Sequence, residues 1–105
     1  MPIYFEDMVA GQHYTSPRRT ITETDIVQFA GLIGDYNPLH TDNVYAAQSG
    51  FGQRIAHGPL LVGMTFGLLS RIGLLECIAL ALLEIAWTSQ AAVRPGDMIH
   101  VQATV

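Results

Sequence analysis

Residues 59–87 read PLLVGMTFGLLSRIGLLECIALALLEIAW, a stretch that any fold of this chain has to bury. Arg71, Glu76 and Glu84 interrupt it, so no unbroken apolar run reaches the ~18 residues that a membrane-crossing helix needs. It divides more naturally into a helix and a strand. Pro59 suits the first turn of a helix, where its missing N–H costs nothing, and the helical pattern continues to about Gly73. That helix is apolar on most sides, so it is expected to be wrapped by other structure rather than laid on a surface. Strand character follows over residues 81–93 and 98–105, with the turn signal RPGD between them.

The upstream half supplies the remaining elements. Residues 14–21 read as an edge strand broken by Pro17. In ITETDIVQFAGLIG, Thr22 or Thr24 can cap a helix, with Asp25 three residues after Thr22. Ile26, Phe29, Ala30 and Ile33 recur at helical spacing, and Gly34 ends the run. Thr41 or Asp42 can cap a short turn through Val44, Tyr45 and Ala47, and SGFGQRIAHG reads as loop. The expected fold is α+β, one domain over residues 1–105, with a curved antiparallel sheet around a long central helix. Such a sheet needs more strands than this chain offers. The sequence is therefore expected to lack C-terminal strands of a longer domain, and to form a homodimer or higher homo-oligomer.

Half of the residues are hydrophobic and 13% are charged, a ratio that suits a compact domain or one half of an obligate oligomer and argues against disorder. The net charge is −4, from five arginines, no lysine and nine acids, so no basic stripe exists for nucleic acid. The lone cysteine, Cys77, rules out an internal disulfide and fits a reducing compartment. MPIYFEDMVAG carries acids where an export signal needs basic residues before an apolar run, so a cytoplasmic location is expected.

Polar chemistry concentrates in GDYNPLH, residues 34–40. Asn37-Pro38 makes a turn and keeps the residues before Pro38 out of the helical region, which presents Asp35 and His40 from an irregular segment. A carboxylate beside an imidazole can hold a water, take its proton and return one elsewhere. Free aspartate titrates near ~3.9 and free imidazole near ~6.5, so neutral pH allows a charged acid beside a base. The same spacing also describes a common loop, in which Asp35 caps a turn, Asn37 makes an Asx-turn and His40 is half-exposed.

A second feature is IAHGPL, residues 55–60. Glycine before a proline-started helix leaves main-chain N–H groups pointing out of a positive helix end. Gly58, without a side chain, lets a carbonyl oxygen approach its N–H, the arrangement of an oxyanion hole. The plainer alternative is an ordinary helix start. His57 either touches substrate or is satisfied by main chain, and the second outcome is the commoner one beside a helix start.

Taken together, FAGLIGDYNPLHTDNVYAAQSGFGQRIAHGPLL resembles the MaoC-like dehydratases, the R-specific (type 2) enoyl-CoA hydratases of hot-dog fold. Their pattern is Gly-Asp-x-Asn-Pro-hydrophobic-His, then a spacer and His-Gly at the start of the central helix. YFEDMVAGQHY and VRPGDMIHVQATV fit the flanking segments. The resemblance implies that Asp35 and His40 activate water for addition to a trans-2-enoyl-CoA, giving an (R)-3-hydroxyacyl-CoA reversibly. It implies that Gly58 N–H holds the thioester oxygen and that Asn37 holds the loop, with Asn37 and His57 also candidates for substrate contact. The expected partner is thus an acyl-CoA thioester, with no cofactor, no metal, no nucleic acid and no membrane.

Some relatives of this kind carry a serine on the central helix facing the site. Here that position falls at or near Phe66, between Thr65 and Gly67, with Gly63 close by, and no serine is present. Gly63 and Gly67 could open space for an acyl chain, while Met64, Phe66 or Leu68 could limit it. Competing readings are a hot-dog thioesterase and a non-catalytic acyl-CoA-binding or truncated relative. A metal site from Asp35, His40, His57 or Cys77 has no supporting HxxxH or CxxC spacing. Arg18, Arg19, Arg54, Arg71 and Arg94 are the candidates for CoA phosphates.

Overall fold

A computed structural model describes residues 3–76 and 79–105, so Cys77, on which the compartment and disulfide readings rest, lies outside the described residues. After a 3-10 turn at Phe5–Asp7 come β1 (His13–Thr15), β2 (Arg19–Thr20), α1 (Glu23–Ile33), α2 (Pro38–Thr41), α3 (Asn43–Ala47), α4 (Gly58–Arg71), β3 (Met98–Ile99) and β4 (Gln102–Thr104).

The strands form one long antiparallel pairing interrupted at its middle. β1 meets β4 in the register His13↔Thr104 to Thr15↔Gln102, and β2 meets β3 with Arg19↔Ile99 and Thr20↔Met98. Between the two ladders Ser16, Pro17 and Arg18 stand opposite His100 and Val101, one residue more on the first strand than on the second. Pro17 has no N–H to give, and Ser16 repairs the pairing on its own. Its main-chain N–H donates to Val101 O at 2.9 Å, and its hydroxyl oxygen accepts the Val101 N–H at 2.8 Å. The break expected at Pro17 is therefore a bulge, and residues 98–105, expected to be one strand, split at the same point.

α1 begins as its sequence predicts. Thr22 is the N-cap: its hydroxyl accepts Asp25 N–H at 3.1 Å, while the Asp25 carboxylate accepts Thr22 N–H at 2.9 Å. Arg19 adds an ion pair to Asp25 at 2.9 Å. Burial by itself would raise the Asp25 carboxyl. The Thr22 main-chain N–H and hydroxyl, together with the Arg19 guanidinium, outweigh it and hold the group below its ordinary range. A carboxyl depressed in the folded state contributes stability that is present above its unfolded value and fades as pH falls through its folded value. Asp25→Asn is therefore expected to cost about 0.5–2 kcal/mol at pH 7, the range for a lost helix cap. That gap should begin to narrow in urea titrations repeated below about pH 4, where the unfolded chain takes up the proton, and close as pH falls through the lower folded value.

Gly34 closes α1 at φ +77°, with its N–H on Ala30 O at 2.9 Å, a left-handed conformation that favours glycine. Of the periodic positions, Ile26 and Ala30 are buried, whereas Ile33, expected on the same face, is 49% exposed. Ile33 sits in the last turn, where the chain is already leaving the core.

The core joins α1 to α4. Ile21, Ile26, Ala56, Leu60 and Met64 form one buried cluster, against which Phe29, Leu61, Val93 and Ile99 pack. α4 buries Leu60, Met64 and Leu68, one residue per turn along a single stripe. The expectation of a fully wrapped helix is thus met on one side. Residues 79–91, which include most of the stretch expected as a strand at 81–93, have no regular secondary structure and are exposed. Val93 alone of that stretch reaches the core, its carbonyl accepting Ala56 N–H at 2.7 Å. A strand with no neighbour leaves its ladder groups unpaired, so strand propensity by itself does not hold it. The shape agrees: the radius of gyration is 16.1 Å, against about 13 Å for a compact chain of this length. The RPGD turn forms as read, with Gly96 at φ +94° and Asp97 N–H on Arg94 O at 3.0 Å.

Candidate active site

The left-handed turn at Gly34 throws the chain back over the end of α1, and Asp35 follows it directly. The Asp35 Oδ1 accepts Asn37 N–H at 3.1 Å, and Asn37 Oδ1 accepts Leu39 N–H at 3.0 Å. Asn37 lies at φ −49°, ψ 131°, the extended conformation a residue before proline takes, and caps α2. Asn37, offered by the sequence as a substrate contact, is exposed and spends its side-chain oxygen on this cap. His40 sits on α2, one turn of helix, and not on an irregular segment as expected. Asn37 and Pro38 start that turn, and the Thr41 hydroxyl donates back to Tyr36 O and Asn37 O to hold it.

The turn-capping bonds of the plain loop reading are thus present, but its exposed histidine is not. His40 is 9% exposed. Its Nδ1 lies 2.7 Å from Ile55 O. A carbonyl oxygen only accepts, so Nδ1 carries the proton, and the lone pair of a neutral ring is left on Nε2. Ile55 also donates its N–H to Leu39 O at 3.3 Å, which fastens the loop before α4 to α2 on both sides of the imidazole.

His57, the N-cap of α4, is 1% exposed. Its Nε2 donates to the main-chain carbonyl of Asp35 at 3.0 Å. Its ring stacks on His40 with centroids 3.8 Å apart and planes at 26°, and Phe29 meets it edge-on at 5.2 Å. The bond to Asp35 O is satisfaction by main chain, the commoner of the two fates read from the sequence. A carboxylate oxygen of Asp35 and one nitrogen from each of His40 and His57 lie within 4.8 Å of one another. The three side chains that the sequence separates by up to 22 positions are one cluster.

These residue types suit a metal ion, but the stacking does not. Two imidazoles on one zinc, each at about 2.1 Å, hold their ring centres about 5 Å apart at the tetrahedral angle. Rings 3.8 Å apart and nearly parallel aim their in-plane lone pairs side by side rather than at one point.

Gly58 opens α4, so its N–H is one of the four without a partner inside the helix. The nearest atom to a Cβ placed there is Ser89 Oγ at 4.0 Å, which leaves the glycine face open. Gly58, Ile55, Phe51, Leu61 and Ser89 line a cavity of about 290 Å3. Ile55 thus borders the cavity through its side and anchors His40 through its carbonyl. Sequence reasoning missed both Ile55, whose part is played by main chain, and Ser89, which lies in a stretch read as strand. The Trp87 indole N–H donates to Ser89 Oγ at 2.9 Å.

A larger apolar groove of about 520 Å3 runs between α1 and α4, lined by Phe29, Leu32, Leu60, Gly63, Met64 and Gly67 among others. A Cβ on Gly63 or Gly67 would meet nothing within 4 Å. The Thr65 hydroxyl, beside the position where some relatives carry serine, is spent on Leu61 O at 2.8 Å. Of the five arginines, Arg19 binds Asp25, Arg54 binds Glu23 and Asn43, and Arg94 donates to Phe51 O. Arg18 and Arg71 are exposed, with no partner among the described residues.

The family model described as MaoC like domain matches residues 5–105. Protein MaoC of Klebsiella aerogenes is 42% identical over 101 residues, covering 96% of this chain and 30% of that protein. The 3-hydroxybutyryl-CoA dehydratase of Methylorubrum extorquens is 33% identical over 103 residues, covering 98% of this chain and 64% of that protein. Among solved structures, the (R)-hydratase from A. caviae involved in PHA biosynthesis superposes with a TM-score of 0.78 at 27% identity, over 94% of this chain and 73% of that one. This chain therefore spans less than two thirds of the length of either of those two relatives. The fold is the hot-dog fold.

Proposed function

The chain belongs to the MaoC-like domain family, and from that premise we propose that it hydrates trans-2-enoyl-CoA thioesters reversibly to (R)-3-hydroxyacyl-CoA. The observation that carries the reading is the convergence of Asp35 and His40, with the imidazole locked by Ile55 O in the tautomer whose Nε2 accepts. Addition of water to C3 of the enoyl group needs a base for the water, a donor for the charge gathering on the thioester oxygen, and a proton for C2. Asp35 holds the water, and His40 Nε2 takes its proton as the oxygen bonds to C3. Gly58 N–H, at the positive end of α4, receives the developing oxyanion. A proton then returns to C2, so one water is added and no redox partner is consumed.

The groove between α1 and α4 is a natural place for the acyl chain, because Phe29 borders it and also packs on His57. Arg18 and Arg71 are the two arginines left to meet CoA phosphates. Gly67→Leu, which fills the groove without a backbone clash, is expected to leave crotonyl-CoA turnover within about threefold. It should lower kcat/KM for the eight-carbon enoyl-CoA tenfold or more, at about 0.8 kcal/mol per excluded methylene. Equal losses on both substrates would place the acyl chain elsewhere.

The direct experiment follows the conjugated absorbance of crotonyl-CoA. Its loss without release of free thiol is the expected result. Thiol release would make the protein a thioesterase, and tight acyl-CoA binding without turnover would make it a binding module.

A further inference from the structure

His57 fills the N-cap position of α4, where serine, threonine, aspartate or asparagine would ordinarily satisfy the first amides. It makes no side-chain cap bond there. Its side chain reaches back 22 residues and gives its one proton to the Asp35 carbonyl at 3.0 Å. Because that carbonyl only accepts, the proton of a neutral ring lies on Nε2, and Nδ1 is left as a lone pair. Nδ1 is buried with no hydrogen-bond partner among the described residues. A buried acceptor without a partner costs stability, and a phenyl ring would fill the same space without that cost. What a phenyl ring lacks is the N–H on Asp35.

We propose that His57 is a positioning residue for the Asp35–His40 pair: through its Nε2–H it fixes the main chain that carries the acid, and through its face it seats the ring of the base. This rests on the hydration reading above. Asp35 follows the left-handed Gly34 and precedes a proline turn, so its peptide has few other restraints. The side chain's hydrogen bond to Asn37 N–H lies within the same turn and moves with it. The bond from His57 ties this turn to the start of α4, where Gly58 follows directly. One residue thus sets the acid, the base and the helix-end amide in a common frame. Stacking at 3.8 Å also places a neutral aromatic face against His40 when that ring takes up a proton.

Two substitutions separate this role from space filling. His57→Phe keeps a ring between Phe29 and His40 but loses the donor. It is expected to lower kcat about tenfold or more with KM within about twofold, since small misplacements of reacting groups cost rate rather than binding. His57→Gln can place its amide nitrogen where Nε2 stood but gives up the ring face, and is expected to exceed the phenylalanine variant by about threefold or more while staying below wild type. A second readout does not depend on activity: the carbonyl-carbon NMR shift of Asp35 should move upfield in His57→Phe and return in His57→Gln. Wild-type turnover in His57→Phe, or a glutamine variant no better than phenylalanine, would overturn the proposal. If the wild-type protein hydrates nothing while the Asp35 shift responds as described, the hydration reading fails and the positioning geometry stands. If turnover is present and the shift does not respond, the reverse holds.

Discussion

Asp35→Asn should lower the rate of crotonyl-CoA hydration by about 10²–10⁴-fold, the usual contribution of a positioned acid–base group. The substitution is unusually clean at this position. Asp35 Oδ1 accepts Asn37 N–H at 3.1 Å, and an asparagine oxygen accepts the same bond. The main-chain carbonyl that His57 holds is untouched. The turn, α2 and the histidine stack therefore survive, and what is removed is the basic oxygen proposed to hold the water. KM should change little, because the carboxylate has no counterpart on a neutral enoyl group. His40→Asn should give a loss in the same range, and the double variant should lose little more than either single one, since the two groups act as one unit. A binding module would show no such losses, and additive losses would mean that the two side chains serve separate steps. Near wild-type turnover in Asp35→Asn would remove the carboxylate from the mechanism altogether.

The local signals were legible in the sequence and the long-range ones were not. Thr22 with Asp25, Gly34, Asn37-Pro38 and Pro59 each act on neighbours within four residues, so propensity and capping rules were enough to place them. Residues 81–93 fail for the opposite reason. A strand is held by partners, and strand character without a partner ladder leaves the segment irregular and exposed. The bulge at Ser16 was half-visible: Pro17 announced a break, but nothing local told that a serine hydroxyl would accept the Val101 N–H in place of a ladder carbonyl. At the site, the spacing of Asp35 and His40 suggested chemistry without deciding it. The burial of His40, its bond to Ile55 O and its stacking on His57 all depend on how the loop before α4 docks on α2. Main-chain partners such as Ile55 leave no mark in the residue type. That is why a histidine with two plausible fates could be assigned one only from its surroundings.

The largest effect on stability is expected at Ile21. This side chain is fully buried in the cluster with Ile26, Ala56, Leu60 and Met64, at the point where β2 hands over to α1. Its main chain is fixed as well, with N–H on Asp97 O and carbonyl on Gly96 N–H, both at 2.7 Å. The site cannot collapse to fill a void without breaking one of those bonds, so the cavity term should be felt in full. Ile21→Ala is therefore expected to cost about 2–5 kcal/mol, and Ile21→Val about 0.5–1.5 kcal/mol. For a domain with about 5–15 kcal/mol in total, the first is a large fraction. Val44→Ala, at a side chain 70% exposed, should stay within about 0.5 kcal/mol. Urea unfolding followed by circular dichroism gives the order directly, with equal m-values showing that the unfolded states match. The functional consequence follows from what the cluster joins. Ile26 belongs to the helix that ends at Ile33, two residues before Asp35, and Leu60 and Met64 belong to the helix that begins at Gly58. Ile21→Val should lower the midpoint and leave turnover intact below it, because the site geometry persists while the chain is folded. Should Ile21→Ala prove no more costly than Val44→Ala, the cluster is not what holds α1 to α4, and the placement of Asp35 relative to Gly58 needs another explanation.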